Sequence, residues 1–245
     1  MKAVITAGGR IDGPFAEAAG TRVKALAPVR GQTMLSRMIA ALRATGAARI
    51  AVVGGDEVRA ACGAQIDRFV DESVSGSENL LRALRAWPDD GETLLYATSD
   101  LPYVTPGAIE TFAARVPSGA LAIALAEFPD FQLRFPDAPP SYGITLAGER
   151  VVNGGVFLLP AGSTQRVAAI AARFFDARKR PWQMAGLVSP VVLIRFLLRR
   201  LSVADLEALA VRVLQMPARA VRGCAAELAY DVDTFAEYGY ACAHG

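Results

Sequence analysis

Short apolar runs, each closed by glycine or aspartate and spaced by helix-length segments, constrain this chain more than any other feature. Ala3 to Thr6 stops at Gly8-Gly9, Arg49 to Val53 stops at Gly54-Gly55, and Thr93 to Thr98 stops at Ser99-Asp100-Leu101-Pro102. Each run is rich in aliphatic residues and too short for a helix, so each reads as a buried strand. Between them, apolar residues recur at helical spacing, as in Met34, Leu35, Met38, Ile39 and Leu42. Helices are expected over Met34 to Ala44, Glu57 to Ala64, Ser77 to Trp87 (capped by Ser77) and Pro106 to Arg115, with a strand over Ile66 to Asp71. This alternation predicts an α/β fold with a mostly parallel sheet. Such sheets bind ligands beyond the carboxyl ends of their strands, where Gly8-Gly9, Gly54-Gly55 and Asp100 fall.

The second half is less regular. Strands are expected over Ala120 to Glu127 and Gly155 to Leu159, with Tyr142 to Leu146 and Glu149 to Val152 paired around Ala147-Gly148. Phe131 to Pro140 reads as an irregular loop. Helices follow over Ser163 to Arg180, Leu187 to Leu201 and Val203 to Leu214, then Ala218 to Val221, Leu228 to Val232 and a last helix from Thr234. With no repeat or linker, the expected organisation is one domain, 1–245, with a helical insertion at about 163–215.

Composition removes several function classes. Lysine and arginine number 26 against 24 acidic residues, so no charge excess argues for nucleic acid. The lone histidine, His244, gives no catalytic triad and no histidine metal cluster. Cys62, Cys224 and Cys242 are scattered and odd in number, which suggests a reducing compartment. The apolar stretch Met184 to Leu198 is interrupted and too short to span a bilayer. With no signal-peptide pattern, the expected location is cytoplasmic. Arg173, Arg178, Lys179, Arg180, Arg195, Arg199 and Arg200 read as a solvated face, with a membrane surface or acidic partner as the alternative.

The N-terminal stretch carries the clearest chemistry. Backbone at Gly8-Gly9 can turn sharply and approach a ligand without a Cβ in the way. Arg10, Arg22 and Lys24 follow, and a helix opens after Gly31. Strand, glycine turn, basic loop and helix together form an anion cradle.

Ala7-Gly8-Gly9, then Gly20-Thr21-Arg22-x-Lys24-Ala25-Leu26-x-Pro28-x-x-Gly31-x-x-Met34-Leu35, resembles the signature of the MobA-like nucleotidyltransferases. Four later segments add to the likeness: Gly76-Ser77-Glu78-Asn79-Leu80, Ser99-Asp100-Leu101-Pro102, Asn153-Gly154-Gly155-Val156-Phe157 and Asp231-Val232-Asp233-Thr234-Phe235-x-Glu237-Tyr238. They keep the family's order and approximate spacing.

The resemblance implies a GT-A-type three-layer α/β/α fold. It implies transfer of a nucleoside monophosphate from a triphosphate, GTP or CTP favoured, to a phosphorylated small-molecule acceptor. By the same likeness Ala7, Gly8, Gly9, Arg10, Glu78 and Asn79 bind nucleotide, Lys24 and Arg22 act on the phosphates, and Asn153 and Gly155 meet the acceptor. Asp100 and Asp233 would hold Mg²⁺, with Asp231 competing for the second place. An ionised acceptor phosphate needs no general base, so the scarcity of histidine is no obstacle.

Some residues depart from the pattern. The loop from Arg10 to Thr21 is long, Ser99 precedes the aspartate, and Phe235 stands where proline is common. A nicotinamide enzyme would need Gly-x-Gly-x-x-Gly and a P-loop enzyme a Lys-Ser or Lys-Thr pair, and neither is present. The alternatives are a GT-A-type glycosyltransferase using a nucleotide sugar and a non-catalytic nucleotide-sensing protein.

Overall fold

Strand β1, Lys2–Thr6, is buried on both faces and is the centre of the molecule. It pairs in parallel with β4, Arg49–Gly54, on one side and β6, Leu94–Thr98, on the other. The computed structural model describes residues 1–139, 143–177 and 190–244. Two strands, β2 (Pro28–Val29) and β3 (Gln32–Thr33), form a separate small hairpin. The other strands are β5 (Arg68–Asp71), β7 (Leu121–Glu127), β8 (Ile144–Leu146), β9 (Glu149–Leu159) and β10 (Ala218–Val221). The main sheet runs β10-β7-β9-β6-β1-β4-β5, with β8 on the flank of β9. Among the described strands of this sheet β9 runs against the rest, pairing antiparallel with β6, β7 and β8, so the sheet is mostly parallel, as the alternation predicts.

Successive side chains of a strand point to opposite faces. Ala3 and Ile5 therefore meet one helical layer, and Val4 meets the other. The first layer holds α2 (Met34–Ala44), α3 (Asp56–Cys62) and α5 (Pro106–Arg115), through Leu35, Met38, Val58, Ile109 and Phe112. The second holds α4 (Gly76–Leu84), α7 (Thr164–Ala177) and α9 (Val203–Leu214), through Leu84, Val167 and Leu214. The result is a three-layer α/β/α arrangement. The short helix α8, Pro190–Leu197, is joined to α9 by the Arg195–Asp205 ion pair. It leaves Ile194, Phe196 and Leu197 exposed. Among the described residues, no helix is long and apolar enough to cross a membrane.

Local chemistry sets the helix starts. Thr33 caps α2 and Thr105 caps α5, each accepting from a backbone N–H one turn on. Ser202 and Asp205 form a reciprocal box at the start of α9. Five expectations need correction. Leu228 to Val232 is not a strand: the chain makes a 3₁₀ turn, Ala226–Leu228, and runs on irregularly to Asp233. Helix α4 is capped by Ser75, whose hydroxyl accepts from Glu78 N–H, and Ser77 lies inside the helix. The segment Arg10 to Thr21 is not a plain loop but holds α1, Gly13–Ala19, whose Phe15 stacks on Tyr238 at 4.9 Å. The stretch from Phe131 is partly helical: α6 spans Phe128–Arg134, begun by Pro129. Finally, β9 is continuous through Asn153-Gly154 rather than starting at Gly155.

The expected ends of the first and second insertion helices, at residues 178–180 and 187–189, lie outside the described residues, as do Pro140 and Tyr142. So do Arg178, Lys179 and Arg180.

Lys2 shows how the strand base is fixed. Its side chain is only 1% exposed, and the ammonium donates to Pro88 O and Asp90 Oδ1 at 2.5 and 2.6 Å. Hydrogen bonds from Lys2 and Arg49 hold the Asp90 carboxyl well below the ordinary range. A depressed carboxyl contributes stability above its unfolded pKa of about 4, and that stability is lost as pH falls toward the folded value. Asp90→Asn is therefore expected to lower the Tm at pH 7 and to lower it less at pH 2, as read by calorimetry.

Candidate active site

Chain direction brings the site together. From β1 the chain first builds β4 and β5 on one side and returns with β6 on the other. Strands β1 and β6 thus flank a point where the order reverses, and the loops beyond their carboxyl ends leave a crevice there. Gly8-Gly9 follows β1 and Ser99-Asp100 follows β6, held together by Ser99 N–H donating to Thr6 O. Strand β9 runs the opposite way, so its first half lies at the same end, with Ala97 opposite Val156.

The cleft measures about 650 Å³ and is walled by Gly8, Gly9, Lys24, Asn79, Thr98 and Asp100 among others. Arg10 and Val23 form an isolated antiparallel bridge that closes α1 off as a side loop. Lys24 N–H donates to Gly9 O at 2.9 Å, which sets the lysine beside the glycine turn. A Cβ on Gly9 would lie 3.2 Å from Lys24 Cε.

Lys24 is the electrostatic centre. Its ammonium contacts Asp100 Oδ2 at 2.5 Å and Asp233 Oδ1 at 2.6 Å. Burial alone would lower its pKa, but Asp100 and Asp233 outweigh that and hold it above the ordinary lysine value. Asp233 sits just ahead of α10, Phe235–His244. There Glu237 accepts from both Asp233 N–H and Thr234 N–H, and Thr234 Oγ1 accepts from Glu237 N–H. Val232 N–H donates to Asp100 O and ties this segment to the β6 end. Asp231 is pushed up to about 7 by burial, then by the charges of Asp100 and Asp233.

The donor set suits Mg²⁺. This hard cation takes one or two carboxylates and keeps waters and substrate phosphates for its other positions. Asp100 Oδ1 is buried with no hydrogen-bond partner, which is an oxygen available for ligation. Among the described residues no cage of three or more His, Cys, Asp or Glu side chains is formed. A two-carboxylate site completed by substrate is the arrangement these residues fit.

The predicted residues divide into two groups. Gly8, Gly9, Arg10, Asn79, Lys24 and Asp100 share the cleft, and Asp233 reaches it through Lys24. Ala7 is buried behind the turn, with its N–H on Val53 O. Arg22 is exposed and lines a separate depression with Gly13 and Glu17. Glu78 pairs with Arg82 on the surface of α4, whereas Asn79 holds Ser73 through both its N–H and C=O groups. Asn153 is exposed, and Gly155 lies against Thr98.

Sequence reasoning missed Glu72. It follows β5 directly, a strand end like those of Gly8 and Asp100, and that position was the available signal. Glu72 Oε1 accepts from Arg10 at 2.5 Å, and its other oxygen lies over Gly8. Gly154 is a close-packing position: a Cβ there would lie 2.8 Å from Leu228 O and 3.0 Å from Ala124 Cβ. Here β9 bulges, because Ile123 to Leu125 of β7 pair with Phe157 and Asn153 of β9. Gly154→Ala is expected to cost about 1–3 kcal/mol in denaturant unfolding, since backbone must shift to admit the methyl.

The model of the MobA-like NTP transferase domain matches residues 3–209. The chain belongs to the MobA-like NTP transferase family. A hypothetical transferase from Thermus thermophilus superposes with a TM-score of 0.81 at 30% identity, over 97% of this chain and 100% of that one. A nucleotidyl transferase from Methanothermobacter thermautotrophicus gives 0.59 at 18%, over 99% and 96% of the two chains. The 2-C-methyl-D-erythritol 4-phosphate cytidylyltransferase of T. thermophilus gives 0.53 at 20%, over 99% and 97%. At those lower identities the likeness is one of fold. No curated protein matches the chain. Membership in the MobA-like family makes this chain a nucleotidyltransferase in general terms.

Proposed function

We propose that this MobA-like protein is a Mg²⁺-dependent nucleotidyltransferase that moves a nucleoside monophosphate from a triphosphate to a phosphorylated small molecule and releases pyrophosphate. The observation that carries this reading is the convergence of Lys24, Asp100 and Asp233 beside Gly8-Gly9.

The chemistry demands little covalent help from the protein. An acceptor phosphate oxygen attacks the α-phosphorus, and the bond to the bridging oxygen of pyrophosphate breaks. Catalysis then rests on positioning and charge neutralisation. Backbone N–H groups at the glycine turn bind triphosphate oxygens. Lys24, fully protonated between its two aspartates, presents a fixed positive charge to the α-phosphate region. Asp100 and Asp233 would hold Mg²⁺, which when bound supplies charge neutralisation and orients the phosphates. Arg10 is tethered by Glu72 at the cleft edge, where it can meet the outer phosphates.

The test is pyrophosphate release with GTP, CTP, UTP or ATP, each against a panel of phosphorylated sugars, polyols and molybdopterin. Release that needs one triphosphate, one acceptor and Mg²⁺ supports the reading. Absence of both release and thermal stabilisation by every triphosphate overturns it.

A further inference from the structure

Beneath the same cleft lies a cavity of about 500 Å³, walled almost wholly by apolar side chains. Its floor is Tyr96 of β6 and Phe157 of β9, and its roof comes from Leu80 of α4, Ile170 of α7 and Leu209 and Ala210 of α9. Close-packed interiors leave few voids larger than a water molecule, whereas ligand pockets commonly reach this size. Leu80, Tyr96 and Thr98 wall both this cavity and the cleft, so the two spaces meet at the carboxyl end of β6.

We infer that the acceptor is an amphiphilic phosphomonoester whose apolar tail occupies this cavity while its phosphate lies in the cleft. The inference rests on the nucleotidyltransferase reading above. The glycine turn, Ser73, Gly76 and Asn79 form the polar wall of the cleft on the other side of Thr98, which leaves the nucleotide there. A nucleobase in the apolar cavity would lose its water without gaining hydrogen-bond partners. A hydrocarbon chain has no hydrogen bonds to forfeit there and gains burial.

The junction is built to turn from polar to apolar. Thr98 Oγ1 is buried with no hydrogen-bond partner. A Cβ on Gly155 would lie only 2.4 Å from that oxygen, so glycine is what leaves room for the Thr98 hydroxyl between the two strands.

The test is calorimetric titration of the full chain with butyl, hexyl and octyl monophosphate, each below its micelle concentration and with a stabilising triphosphate present. Kd is expected to fall by about threefold to fourfold per added methylene. Ala210→Phe fills the cavity, and Leu206→Asp places a charge at its exposed rim. Both variants are expected to flatten the chain-length dependence and to keep stabilisation by triphosphate. A flat series in the parent protein, or an unchanged series in both variants, overturns the amphiphile while leaving nucleotidyl transfer standing. Loss of triphosphate stabilisation in the parent protein itself overturns the reading of the cleft, and the amphiphile with it.

Discussion

Lys24→Ala is expected to lower kcat/KM by roughly 10²–10³, the usual loss when one charge-stabilising group is removed from a reacting centre. The ammonium is held between Asp100 and Asp233 at the glycine turn. Without it Asp100 and Asp233 lose the positive charge they share at the turn. Lys24→Met keeps most of the apolar stem and is expected to lose as much activity with a smaller fall in Tm. Parallel steady-state kinetics and thermal unfolding separate the roles. Loss of activity in proportion to loss of folded protein would make the lysine structural.

Asp100→Asn is expected to cost at least about 100-fold in turnover and to remove its dependence on Mg²⁺. The amide keeps the shape of the side chain but removes its charge. The unpartnered Oδ1 would then be a weak neutral ligand or an NH₂ group. Triphosphate binding is expected to persist in part, since the glycine turn and Lys24 are untouched. The pair of readouts is Mg²⁺ titration of turnover and triphosphate-induced thermal shift. Turnover unchanged in this variant would remove Asp100 from the metal.

Much of this arrangement was legible before the fold was seen, for physical reasons that differ by residue. The β1, β4 and β6 runs are buried on both faces, so their sequences are nearly continuous apolar stretches and stand out. Gly8-Gly9 and Asp100 were legible because parallel strands put their carboxyl ends on one side. Asp233 was legible only through family likeness, since nothing local says that residues 133 positions apart will meet. Helices α1 and α6 were not legible because seven residues show too little periodicity, and their apolar residues pack into a separate aromatic cluster around Tyr230.

The family likeness implied a shared role for Arg22 and Lys24. The 3₁₀ turn Lys24–Leu26 starts at the lysine, which lines the cleft, while Arg22 lies on the surface beside a separate depression. The cavity under β6 was invisible because its walls come from strands and helices far apart in the chain, each with an ordinary apolar face.

The most direct test of the central claim follows the label from triphosphate carrying a marked α-phosphate. In the presence of Mg²⁺ and an accepted phosphomonoester, the account predicts that the α-label enters the acceptor while a γ-label leaves as pyrophosphate, and that both transfers fail in Asp100→Asn. An α-label that stays with free nucleotide while the γ-label moves to the acceptor would contradict nucleotidyl transfer.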